Sequence, residues 1–211
     1  MSSRAGPDPA THPTQTAHFL NIANGLTLLR LLLVPVFVAL LVAHGGHSAG
    51  WRVWAFVTFA VATITDYVDG DLARSRGLVT DVGKVADPIA DKALTGAALI
   101  GLAALGDLPW WVTAVILVRE VGITVLRFVV IRHGVIPASR GGKAKTALQN
   151  VAIGLYLLPL SGWPATLRFW LLALAVAVTV VTGGDYVARA VTLRRTSARA
   201  QLKRARRQAQ P

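Results

Sequence analysis

DYVDGDLARSRGLVTDVGKVADPIAD, residues 66–91, holds six of the ten acidic residues in a chain of 211 that is 54% hydrophobic and only 15% charged. Long apolar runs flank it on both sides, so it reads as a polar junction between two oily helices. That junction decides the fold, because each flanking run is long enough to cross a bilayer, which takes ~20 mostly apolar residues. Working outward, six candidate runs appear, at about 25–43, 51–70, 88–106, 110–131, 147–161 and 166–189, the fifth of them short and with Pro159 near its end. The chain is therefore expected to be an all-α integral membrane protein, a bundle of six transmembrane helices.

The loops orient the bundle. The junction between the second and third runs carries Arg74, Arg76, Lys84 and Lys92, and the segment between the fourth and fifth carries Arg132, Arg140, Lys143 and Lys145. Arg189, Arg194, Arg195, Arg199, Lys203, Arg204, Arg206 and Arg207 close the chain, whereas the opposite loops hold only Arg52 and Arg168. Basic residues stay on the cytoplasmic side, which places both termini and the two basic loops there, in a multi-pass protein of the cell membrane. An odd number of spans would destroy this alternation.

Residues 1–18 are polar and contain Pro7, Pro9 and Pro13, which fits a disordered cytoplasmic tail; 19–193 form the membrane domain and 194–211 a basic cytoplasmic tail. A cleaved signal peptide is the rival reading of 1–46. Asn24 and Arg30 near the start of the apolar run, and the lack of a clear small-residue cleavage site, favour a retained helix. The net charge of +12 matches an anionic membrane surface better than nucleic acid, since no aromatics are interleaved in the basic tail. With no cysteine, disulfides, thiolate metal sites and cysteine nucleophiles are excluded. The five histidines lie in tails or loop edges, away from the acids.

Within the junction, Asp66 and Asp69 are three residues apart, on one helix face at the cytoplasmic end of the second span. Asp87 and Asp91, four apart, open the third, with Asp87 as the expected cap and Pro88 as the expected first helical residue. Four facing carboxylates repel and protonate unless cations compensate. Hard divalent ions with oxygen ligands, Mg²⁺ or Mn²⁺, are the natural compensators, and two of them ~3.5–4 Å apart clamp a phosphoryl group in transfer. The bland alternative pairs the acids with Arg74, Arg76, Lys84 and Lys92 in interfacial salt bridges. It leaves unexplained why the acids fall on two facing helices, and polar groups at membrane depth tend to be functional.

The order Asp66, Asp69-Gly70, Ala73-Arg74, Gly83, Asp87 and Asp91 resembles, in every fixed position, the signature of the CDP-alcohol phosphatidyltransferase family. The resemblance implies a six-helix fold, usually dimeric, with a cytosol-facing site that cleaves a CDP-lipid. It makes Asp66, Asp69, Asp87 and Asp91 metal ligands, Asp91 also the general base, and Gly70, Arg74 and Thr80 contacts to the CDP moiety. The physics agrees: glycine lets a nucleotide approach the backbone, and the Arg74 fork matches a phosphate.

Three further segments bear on the acceptor alcohol. Asn24, Thr27 and Arg30 open the first span in a run similar to that of the glycerol-phosphate-using members of the family, which assigns Asn24 and Thr27 to substrate binding. Arg119-Glu120 lies inside the fourth span, with Arg127 seven residues on; Glu120 and Arg127 share a face and are expected to neutralise each other, which leaves Arg119 unpaired. Gly142-Lys143-Ala144-Lys145-Thr146, followed by Gln149, looks like the same subgroup. Arg119, Lys143 and Lys145 are then expected to hold the phosphate of sn-glycerol 3-phosphate, with CDP-diacylglycerol as donor. Inositol phosphate, or phosphatidylglycerol in cardiolipin formation, are the alternative acceptors. A divalent-cation transporter is the alternative from another class, although Asp107 alone lies near the far side.

Overall fold

The computed structural model describes residues 22–76, 81–130 and 140–196, with side chains over 25–67, 89–126 and 144–193. These residues form α1 (Ile22–Val42), α2 (Ala49–Arg76), α3 (Asp81–Ala104), α4 (Trp110–Val130), α5 (Arg140–Leu157) and α6 (Trp163–Thr196), with a 3-10 turn at Ala43–Gly46 and no strand among them. Six helices match the six apolar runs. The tail expected at 1–18 lies outside the described residues, as does 197–211 of the basic tail, and α6 runs three residues into the latter.

α2 and α6 run six and seven residues past their expected ends, and two further differences bear on the site. α3 begins at Asp81 and passes through Pro88, so Asp87 is interior to the helix rather than its cap. A proline within a helix costs the hydrogen bond its missing N–H would make, and here the helix continues regardless. α5 spans Arg140–Leu157 rather than 147–161; it stops two residues before Pro159, as the conformational restriction ahead of proline requires.

Three tight turns gather at one end of the bundle, and each reverses through a glycine at positive φ: Gly46, Gly106 and Gly162. At Gly46 a Cβ would also fall 2.3 Å from the Leu105 side chain, so the first turn packs on the second only because no side chain is there. Arg52 ties the three turns together. Its guanidinium, almost wholly buried, donates to Gly46 O (3.2 Å), Tyr156 O (2.7 Å) and Leu157 O (3.1 Å), and pairs with Asp107 at 2.6 Å. Arg168 lies nearby, 4.8 Å over the Tyr156 ring.

The same end carries all six tryptophans of the chain. Trp51 and Trp54 lie at the start of α2, Trp110 and Trp111 at the start of α4, and Trp163 and Trp170 at the start of α6, all of them exposed. An exposed tryptophan layer at one end of a helix bundle is the aromatic belt of a membrane interface. Leu28, Leu32, Ile64, Val118, Val125, Val180 and Val181 are exposed along the helices as well. Water would not tolerate so extended an apolar surface on a monomer. The helices over Gly25–Gly46 and Trp163–Leu193 are each long and apolar enough to cross a membrane. The protein is thus a helical membrane protein.

Inside, α1 packs against α2 and α3, α6 against α4 and α5, and α5 reaches back to α2 and α3. Phe37 and Leu41 of α1 meet Phe59 of α2, Leu99 and Leu102 of α3, Ile116 of α4 and Ile153 and Leu157 of α5 in one core. The apolar core fills the turn end around Arg52 and Thr113, and the other buried polar residues collect deeper along the helices.

Candidate active site

Measured along their helices from the turn end, Arg30, Asp91, Glu120 and Lys145 all stand about 15–20 Å in, and Asp66 about 25 Å. Four helices from distant parts of the chain therefore deliver their charged residues to one layer. Arg30, at 1% exposure the most deeply buried cation among the described residues, reaches from α1 to Asp66 of α2, Nη1 to Oδ1 at 2.6 Å. Thr27, one turn earlier on α1, is buried on the same face.

Asp91 of α3 stands where the charges of Asp66, Glu120, Arg30 and Lys92 all act on it. Tyr67, next to Asp66, hydrogen-bonds the side chain of Asn150 on α5 and feels both aspartates. Asp66 and Asp91, two of the four carboxylates singled out in the sequence, are thus brought together from separate helices. Asp69 and Asp87 lie on α2 and α3, within about one helical turn of Asp66 and Asp91 respectively; their side chains fall outside the described residues. Among the described residues no three metal-binding side chains converge. The donor set itself, carboxylate oxygens only, suits a hard divalent cation.

The second half of the site lies on α4, α5 and α6. Glu120 Oε1 accepts from Lys145 Nζ, in a close ion pair across α4 and α5, and from Arg119 Nη1 at 3.2 Å. Arg119 Nη2 donates to Thr182 Oγ1 at 3.2 Å. Its aliphatic stem crosses α6 at Gly183, where a Cβ would come within 3.2 Å of Arg119 Cγ. Arg119 is therefore not left over, as the helical period implied. Glu120 takes its partners from the neighbouring residue and from another helix, and the Arg127 side chain lies outside the described residues. Lys145 also feels Asp91, so the two halves form one electrostatic unit. An apolar groove of about 790 Å³ runs between α4 and α6 past Arg119, walled by Val118, Ile123 and Val180.

Of the remaining expected residues, Gly70 and Arg74 lie on α2, Asn24 in the first turn of α1 and Lys143 in the first turn of α5, all with side chains outside the described residues, while Thr80 falls outside them altogether. The sequence reading did not assign Arg30, Tyr67, Gln149 or Asn150 to the site. Arg30 carried a signal as a single cation within an apolar span, and Gln149 as part of the run that follows Lys145.

Two carboxylates set near a buried arginine, beside a lysine–glutamate–arginine cluster inside a lipid-compatible helix bundle, make up a charged site in a helical membrane protein. The family model described as CDP-alcohol phosphatidyltransferase matches residues 20–181. Over 175 residues the chain is 59% identical to a Mycobacterium tuberculosis protein named probable phosphatidylglycerophosphate synthase, which covers 83% of this chain and 84% of that one. It is 37% identical over 187 residues to the Bacillus subtilis CDP-diacylglycerol–glycerol-3-phosphate 3-phosphatidyltransferase, with 79% and 93% covered. To the CMP-forming cardiolipin synthase of Streptomyces coelicolor it is 36% identical over 159 residues, with 72% and 73% covered. The chain belongs to the CDP-alcohol phosphatidyltransferase family, transferases that generally depend on divalent metal ions. Membership sets aside the cation-transporter reading.

Proposed function

We propose that the protein transfers the phosphatidyl group of CDP-diacylglycerol to sn-glycerol 3-phosphate, giving phosphatidylglycerophosphate and CMP. The observation that carries this reading is the pairing of two chemically distinct halves in one layer: the Asp66–Asp91 carboxylates over Arg30, and the Arg119–Glu120–Lys145 cluster beside them. One half suits the donor's pyrophosphate and the other a small anionic acceptor. The names of the Mycobacterium and Bacillus relatives support the same pair of substrates.

In this reading all six helices span the membrane, both termini are cytoplasmic and the site opens to the cytoplasm. The acyl chains of the donor stay in the bilayer. Asp66, Asp69, Asp87 and Asp91 would hold Mg²⁺ or Mn²⁺, two ions in all, which supply charge neutralisation for the pyrophosphate and the departing CMP. Gly70, Arg74 and Thr80 contact the CDP moiety, and Asn24 and Thr27 contribute to substrate binding. Arg30 holds the Asp66 carboxylate in place. Arg119, Lys143 and Lys145 take the acceptor's phosphate; Glu120 fixes the position of Lys145 and keeps the cluster from excess positive charge.

Asp91 takes the proton from the 1-hydroxyl of the acceptor. The resulting alkoxide oxygen forms a bond to the lipid-side phosphorus, the bond from that phosphorus to the bridging oxygen breaks, and CMP leaves with the electron pair. No serine, cysteine or histidine stands among the described site residues, which supports direct transfer over a covalent intermediate. The family resemblance supports a homodimer.

The test is CMP release by the purified protein with CDP-diacylglycerol, Mg²⁺ or Mn²⁺, and each candidate alcohol in turn. Release with sn-glycerol 3-phosphate is expected. Release with phosphatidylglycerol alone, the reaction implied by the name of the Streptomyces relative, would overturn the choice of acceptor, as would release with inositol phosphate alone.

A further inference from the structure

The acceptor proposed above carries three groups a protein can recognise: its phosphate, the 1-hydroxyl that attacks, and the 2-hydroxyl on the carbon between them. The cations take the first and Asp91 the second. Nothing so far meets the third.

Gln149 of α5 is only 2% exposed, and its Oε1 has no hydrogen-bond partner among the described residues. A carboxamide oxygen can only accept, and a buried acceptor without a donor leaves its desolvation unrecovered. Its place is informative. It follows Lys145 by one turn, on the same face of the helix, and the Lys145 ammonium lies on Glu120 within the field of Asp91. The next residue, Asn150, has an unpartnered Oδ1 too, but it is turned towards α2: it hydrogen-bonds Tyr67, and one turn later Gly154 meets Phe56. Gln149 is the one that shares the lysine's face.

A phosphate on Lys145 and a 1-hydroxyl at Asp91 fix both ends of a three-carbon acceptor, so its middle hydroxyl must project between them. We propose that Gln149 Oε1 accepts a hydrogen bond from the 2-hydroxyl of sn-glycerol 3-phosphate, and so selects this acceptor over three-carbon phosphates that lack that hydroxyl. The inference rests on the reading of the acceptor given above.

The experiment uses the full chain in lipid or detergent, with CDP-diacylglycerol and CMP release as readout. Its acceptors are sn-glycerol 3-phosphate and 3-hydroxypropyl phosphate, the same skeleton without the 2-hydroxyl. The wild type is expected to lose about tenfold in kcat/KM on going to the analogue, the scale of one neutral hydrogen bond. Gln149→Leu is expected to lose about tenfold with sn-glycerol 3-phosphate, to lose nothing with the analogue, and to keep its KM for CDP-diacylglycerol. Gln149→Met, closer in length, repeats the comparison should the leucine variant not fold. A wild type that treats the two acceptors alike, a folded variant that keeps the full discrimination, or one that loses both acceptors equally would each overturn the assignment. No CMP release by wild type with sn-glycerol 3-phosphate would instead overturn the acceptor itself.

Discussion

Replacing Arg52 by methionine removes the one side chain that ties the three turns together while leaving comparable apolar volume. Arg52 makes three hydrogen bonds to backbone carbonyls and one ion pair to Asp107, whose carboxylate is itself 23% exposed. Hydrogen bonds to a charged group contribute about 1.5–3 kcal/mol each when buried. The turn carbonyls and Asp107 can recover part of this from interfacial water, which brings the loss to about 3–5 kcal/mol, the usual cost of breaking a buried pair. For a chain of this size each kcal/mol lowers the melting temperature by about 2–4 °C, so a fall of roughly 6–20 °C is expected. The measurement is the apparent melting temperature in detergent, beside Arg189→Met as a control. Arg189 pairs with Asp185 on the exposed face of α6, and such pairs contribute about 0–1 kcal/mol. The specific activity of protein still folded should hold, because the clasp lies at the turn end, about 20 Å along the helices from Asp66 and Asp91. Equal shifts for the two variants would refute the clasp, and lost activity in folded Arg52→Met would refute its separation from the site.

Further outcomes follow from the same geometry. Asp91→Asn keeps the shape but cannot take a proton; CMP release is expected to fall at least about 10²-fold, and a folded variant within tenfold of wild type would remove Asp91 from the role of base. Lys145→Ala and Arg119→Ala are each expected to raise the KM for sn-glycerol 3-phosphate about tenfold or more, with the KM for CDP-diacylglycerol little changed; the reverse pattern would assign the cluster to the donor. Chelation of divalent ions should abolish CMP release and either Mg²⁺ or Mn²⁺ should restore it, so full activity in chelator would refute the metal reading. Arg30→Met leaves the Asp66 carboxylate without its 2.6 Å partner, and is expected to lower kcat with a weakened response to added metal; unchanged metal titration would show that Arg30 does not position Asp66.

Much of this molecule can be read from its sequence, for identifiable reasons. The six helices announce themselves because a lipid-facing run must be apolar throughout, whatever it packs against. The acidic cluster is legible because its acids lie within 26 consecutive residues, where helical register alone relates them. Arg30–Asp66 is not, since the partners are 36 positions apart on different helices and only packing unites them. Glu120–Lys145 shows the limit most clearly, since helical periodicity relates Glu120 only to residues of its own helix and this partner comes from another, 25 positions on. Arg52 counted in the sequence as one stray cation on the far side, and folding turned it into a buried clasp. The tryptophan belt was visible as six letters but acquires meaning only once three turns come to one end.

The last helix also measures the membrane. Between Arg168, held at the turn end by Tyr156, and Asp185, α6 has sixteen residues without a charge, about 24 Å of helix. The hydrocarbon slab it has to match is ~30 Å thick. A rigid rod whose two charged collars stand closer than the slab is thick draws the leaflets together around it. The bilayer around α6 is therefore expected to be thinner than its surroundings, by about 6 Å at most.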